Sequence, residues 1–201
     1  MKLVLQSMVA VTLLTGVSSV AEGQNFSARL SGYNEVHFVA GDPKADPVIS
    51  PALRGAISTK ASGSFSAQLN SAGDIIDYVL GYRDLEGNVT QAHIHFGQPS
   101  TVGGIVVWLC QTAASPAPKL VADPKLTPIC PTEGFVTGTI TRDQVLAQKG
   151  QGIEASEFAE VVRALKAEAA YVNVHSSLHG PGEIRGQIKF DDKRGDDEFR
   201  F

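Results

Sequence analysis

Histidines 93 and 95 flank a single isoleucine in the stretch Gln91-Ala92-His93-Ile94-His95-Phe96-Gly97. An extended backbone sends alternate side chains to opposite faces, so both imidazoles point one way while Ala92, Ile94 and Phe96 point the other. Two imidazoles facing the same way make up half or more of a nitrogen site for Zn²⁺ or Cu²⁺. A third candidate lies in Ala-Tyr-Val-Asn-Val-His-Ser, residues 170–176. There Val172 and Val174 share one face, and Tyr171, Asn173 and His175 share the other. In residues 183–190, Ile184, Gly186, Ile188 and Phe190 alternate with Glu183, Arg185, Gln187 and Lys189. If these strands pair, His93, His95 and His175 converge on one polar face, with Asn173, Glu183 and Arg185 as its supporting residues. His175 is the natural third ligand, and His179 or Glu183 would be a fourth.

The spacing of His175 and His179 is that of helical zinc sites, but Gly180-Pro181-Gly182 argues for a turn there. The same residues have a second reading without any ion. A neutral imidazole carries one donor and one acceptor, which suits a hydrogen-bond network between a strand and a loop. His37, beside Phe38, reads as a surface or packing residue in an early loop.

The elements that position these side chains are mostly strands. Phe26, Ala28 and Leu30 alternate with polar neighbours, and residues 53–85 hold about three more strands, with turns at Ser62-Gly63 and Ser71-Ala72-Gly73-Asp74. Val106-Val107-Trp108-Leu109, opened by Gly103-Gly104, is apolar on both faces, as a central strand would be. Residues 134–148 run from a strand into a helix start, where Thr141 and Gln144 have the spacing of a capping box. Phe158, Val161, Val162 and Leu165 repeat at helical spacing, with Ser156 placed to cap them. Many short antiparallel strands with one or two short helices predict a mainly β fold, a Greek-key β-sandwich or barrel of immunoglobulin-like or superoxide-dismutase-like form.

Bulk properties narrow the setting. The chain has 201 residues, enough for one domain. Met1-Lys2, an apolar run from Leu3 to Val17 and Ser19-Val20-Ala21 read as a signal peptide over residues 1–21. The β-domain would then span 22–190 and a charged flexible tail 191–201. Gln6, Ser7, Thr12 and Thr15 dilute a stretch already short for a membrane anchor, so the mature chain is expected to have no membrane span. A secreted product, extracellular or periplasmic, favours a disulfide between the two cysteines, Cys110 and Cys130. That bridge would clasp a Pro- and Ala-rich excursion and contribute roughly 3 kcal/mol in the chain-entropy picture. A net charge of −4 with no basic run excludes nucleic acid as the natural partner. Arg194-Gly195-Asp196 in the tail reads as a chance match to an adhesive tripeptide.

The histidine strand, Gly103–Cys110 with the later Ile129-Cys130-Pro131, residues 134–141 and above all residues 170–188 resemble the CHRD domain, named for its occurrence in chordin. The similarity runs from about Phe26 to Phe190, and the spacing around the cysteines resembles the family's bacterial secreted members. The resemblance implies an extracellular module, in chordin associated with binding signalling ligands, with the β-architecture given above. His93, His95, Asn173, His175, Glu183 and Arg185 match the family pattern, whereas His179 falls in its variable turn. No von Willebrand type C repeat is present, so chordin's ligand chemistry is not carried over. Sequons at Asn25 and Asn88 matter only in a eukaryotic secretory pathway.

Three functions compete. The first is a non-enzymatic secreted binding module, taking an extracellular protein or a copper or zinc ion at the histidine face. The second is a copper- or zinc-dependent metalloenzyme with dismutase-like redox chemistry, in which Arg185 would attract an anion. The chain lacks the fuller histidine and aspartate set of a copper-zinc dismutase. The third is a structural envelope or matrix protein whose histidines are network residues. No nucleophile elbow, phosphate loop or dinucleotide fingerprint occurs.

Overall fold

The computed structural model describes residues 23–39, 44 and 52–191. The expected signal peptide, and the tail beyond Asp191, lie outside the described residues. The strands are β1 (Gln24–Ser31), β2 (Val36–Val39), β3 (Ala52–Gly55), β4 (Ser62–Leu69), β5 (Ile76–Arg83), β6 (Val89–Phe96), β7 (Gly104–Cys110) and β8 (Gly134–Ile140). Helix α1 (Phe158–Lys166) follows, then β9 (Ala170–Ser176), β10 (Ile184–Gln187) and β11 (Lys189–Asp191).

One antiparallel sheet runs in the order β7-β6-β9-β10-β1-β4-β5-β8, with β11 also paired to β1, and β2 and β3 form a separate ribbon. The backbone of His37 therefore lies in a strand, opposite Arg54, rather than in a loop. The sheet curls until it is nearly closed. Tyr78 on β5 donates its hydroxyl hydrogen to the carbonyl of Leu109 on β7, at 2.6 Å. Alternation sets the core: Phe26, Leu30, Phe65, Ile76, Leu80, Ile94, Leu109, Ile140, Ile184 and Ile188 all bury their side chains in it.

Helix α1 lays Phe158, Val161, Val162 and Leu165 on this core. Glu157 occupies its N-cap position, not Ser156, whose φ of 65° belongs to the approaching turn. The Thr141–Gln144 capping box is present, but on a single 3-10 turn over Arg142–Gln144. No described helix is long and apolar enough to cross a membrane.

Strand β7 is terminal in the sheet order, not central, yet Val106 to Cys110 are buried. The reason is that residues 145–148 cover its outer edge. Leu146 donates its N–H to Val106 O at 2.9 Å, and the Gln148 side chain donates to Ile105 O at 2.7 Å. Cys110 and Cys130 are joined by a disulfide. The excursion between them is also organised from within by Gln111, which is buried. Its amide nitrogen donates to Ala122 O and Thr127 O, both at 2.7 Å, and its oxygen accepts from Ala117 N at 3.0 Å. Trp108, Ala117 and Val121 add a small apolar cluster beneath the loop.

Candidate metal centre

The site is built on the pairing of β6, β9 and β10. His93 lies opposite Asn173 and His95 opposite Tyr171 across the β6–β9 ladder. Asn173 lies opposite Arg185 across the β9–β10 ladder. These registers put His93, His95, Tyr171, Asn173 and Arg185 on one side of the sheet, opposite the core residues Ile94, Val172 and Ile184. Against β7 the register of β6 shifts between Ala92 and His93, and again between Ile94 and His95. Such irregularities re-aim side chains locally.

One ring nitrogen from each of His93, His95 and His175 lies within 4.8 Å of the others. The ring centroid of His93 is 5.4 Å from that of His95 and 4.9 Å from that of His175. The side expected to be a polar face is not a solvent face. His93 is 0%, His95 7% and His175 6% exposed, and Asn173, Glu183 and Arg185 are buried as well. Two connections fold over the strands and account for this. His95 Nδ1 is 2.9 Å from Gly103 O, and Arg185 donates to Thr101 O at 2.7 Å and Gln98 O at 3.3 Å, so residues 97–103 form one cover. His175 Nδ1 is 2.7 Å from Gly180 O, so the turn after β9 forms the other.

Aromatic packing fixes the rings. Trp108 meets His93 edge-on at 4.2 Å, and Tyr171 stacks on His95 at 4.7 Å. The Arg185 guanidinium lies 3.3 Å from the centre of the Tyr171 ring, and the Tyr171 hydroxyl accepts the Gly103 N–H at 3.1 Å. Gly182, at φ 142°, lets Glu35 approach Asn173, since a Cβ there would stand 2.5 Å from Glu35 Oε2.

Burial decides the electrostatics. It holds His93 well below the ordinary histidine pKa, and the neighbouring His175 and His95 push in the same direction. Burial likewise lowers His95 to about 4, against the opposing bond to Gly103. Both rings are therefore neutral near pH 7, the form that offers a lone pair. Burial raises Glu35 to about 7, opposed by the Val36 N–H, Arg185 and Asn173.

Neither ring nitrogen of His93 has a hydrogen-bond partner in the protein, and nor does His95 Nε2; all three atoms are buried. For His95 and His175 the Nδ1 nitrogens are committed to backbone carbonyls. A carbonyl on one nitrogen fixes the tautomer and leaves the other as the ligating atom, the usual arrangement behind a metal-bound histidine. His175 Nε2 also lies 3.1 Å from Asn173 Oδ1. Neither His179 nor Glu183 joins the three histidines; both group with Glu86 instead.

Glu35 is the site residue that sequence reasoning missed. It sits in a polar stretch before a short strand, and no periodicity marks it as buried.

The CHRD domain family matches residues 26–188, most of the chain, and the chain belongs to that family. No curated protein and no solved structure matches it.

Proposed function

We propose that this chain is an exported CHRD module that binds a copper or zinc ion through His93, His95 and His175. The carrying observation is the set of buried nitrogens without hydrogen bonds, two on His93 and one on His95, inside a cluster whose ligand atoms lie within 4.8 Å of one another. A buried polar atom left unpaired costs roughly 1–3 kcal/mol, so three in one place call for a common partner. Zinc–nitrogen bonds of about 2.0–2.1 Å in a tetrahedral set put ligand nitrogens about 3.4 Å apart. The rings must therefore close by roughly 1.4 Å in a pair at the 4.8 Å limit and by less in a closer pair, within reach of small χ rotations. Three imidazole ligands favour Cu²⁺ over Zn²⁺ by the general order of divalent affinities.

Residues 1–21 as a signal peptide, residues 22–190 as the domain and 191–201 as a charged tail complete the reading. The family match, the disulfide and the form of the leader support export. A holding role is favoured over dismutase-like catalysis by the position of Arg185. Its guanidinium is engaged by two carbonyls and the Tyr171 ring, not presented to an incoming anion.

The test is calorimetric titration of chelator-stripped protein with Cu²⁺ and with Zn²⁺, on wild type and His93→Ala. Saturable binding in the wild type, tighter for copper and lost at this site in the variant, supports the reading. Equal binding by the two proteins overturns it.

A further inference from the structure

Glu86, His179 and Glu183 form a second cluster, and the ligand atoms they offer also lie within 4.8 Å of one another. Glu86 lies in the loop between β5 and β6, His179 in the turn after β9, and Glu183 just before β10. Glu183 is the buried member, fully shielded from solvent. Its Oε1 accepts the Thr59 hydroxyl and the Glu86 N–H, both at 2.8 Å. Its Oε2 is buried and has no hydrogen-bond partner. Among the described residues no lysine or arginine forms an ion pair with it. A buried carboxylate without a counter-charge is expensive, and a cation is the partner that offsets it.

The rest of the cluster has the form such a cation needs. His179 Nε2 is 3.1 Å from Glu86 Oε2, about the separation of two ligands on one ion. The side chains of His179 and Glu86 are 22% and 43% exposed, which gives an ion a route from solvent down to Glu183.

We propose that Glu86, His179 and Glu183 form a second cation site, taking a divalent transition-metal ion of the zinc class. Two carboxylates neutralise its charge, and one imidazole selects it over the hard, oxygen-seeking Ca²⁺ and Mg²⁺. Water completes the coordination shell on the exposed side. This site differs in character from the three histidines, whose neutral donors leave the charge of a bound ion uncompensated. It stands independently of the function proposed above.

The experiment is a Zn²⁺ titration of chelator-stripped protein, followed by calorimetry, on wild type, His179→Ala and Glu86→Gln. Both substitutions fall on solvent-accessible side chains, and Glu86→Gln keeps the backbone N–H that bonds Glu183. The wild type is expected to bind one Zn²⁺ equivalent more than either variant. If both sites exist the count falls from two to one; if only this one exists it falls from one to none. A count of one that both variants retain with unchanged affinity overturns this proposal while leaving the three-histidine site standing. Loss of all binding in His93→Ala, with both of these variants unaffected, overturns it in the same way.

Discussion

Trp108 packs edge-on against His93, with ring centroids 4.2 Å apart, beside an imidazole whose two nitrogens make no hydrogen bond. Trp108 is the only tryptophan of the chain. Its fluorescence therefore reports on one place. Cu²⁺ is redox-active and paramagnetic and quenches an indole at this range, whereas Zn²⁺ does neither. Cu²⁺ is expected to quench most of the emission and to saturate at the stoichiometry of the histidine site. Zn²⁺ added first should protect against that quenching. Emission that is indifferent to Cu²⁺ speaks against binding beside His93.

His93→Leu separates metal site from hydrogen-bond network. The substitution removes two buried nitrogens that have no partner and leaves no other group unsatisfied. Metal-free protein should keep or gain stability, by up to about 2 kcal/mol, while losing the ion. His175→Ala should behave differently, because Gly180 O loses its partner and the residue is buried. A loss of about 1–3 kcal/mol is expected there. Denaturant unfolding of the three stripped proteins measures both. A large loss of stability in His93→Leu would favour the network reading.

Acid should weaken the metal-free fold in a defined window. His95 titrates at about 4 in the folded chain, against 6.5 when unfolded. Between these values the unfolded state binds more protons, so stability rises with pH and is lost as pH falls from 6.5 towards 4. The His95 contribution alone is on the order of 3 kcal/mol, and His93 acts in the same direction. Chemical unfolding at about pH 7, 5.5 and 4.5, points that span most of this window, should show the decline. Flat stability across that range would show that the two rings are not held neutral.

Glu35 has the opposite sign. Its folded pKa, raised to about 7 from 4.5, means its contribution is full below 4.5 and is lost as pH rises through 7. Glu35→Gln removes this dependence. At about pH 8 the variant should exceed wild type by about 1–3 kcal/mol, and at about pH 4 the two should be alike. Equal unfolding midpoints on the alkaline side would contradict it.

Periodicity makes part of these sites legible in the sequence. Alternation along residues 91–97, 170–176 and 183–190 identified one shared face, and the β6–β9 and β9–β10 registers bring those strands together. Alternation cannot say whether a face is wet. Here the chain from Gly97 to Gly103 and the turn around Gly180 cover it, and loop paths leave no periodic trace. The same limit explains Glu35, which sits against Asn173 because Gly182 has no Cβ to fill the space between them. It also explains β7, whose apolar run reflects cover from residues 145–148 rather than a central place in the sheet. The pairing of His179 with Glu86, residues 93 apart in sequence, had no local signal.

Three imidazoles meeting one ion leave a signature in which the nitrogens can be counted. One equivalent of Cu²⁺ is added to stripped His179→Ala protein, a background that removes the second cluster, and the sample is examined by electron paramagnetic resonance. A single bound species with superhyperfine structure from three nitrogens, reduced in number when His175 is also replaced by Ala, is the predicted result. A spectrum of solvated or oxygen-ligated copper, without nitrogen coupling, would rule out a three-histidine site.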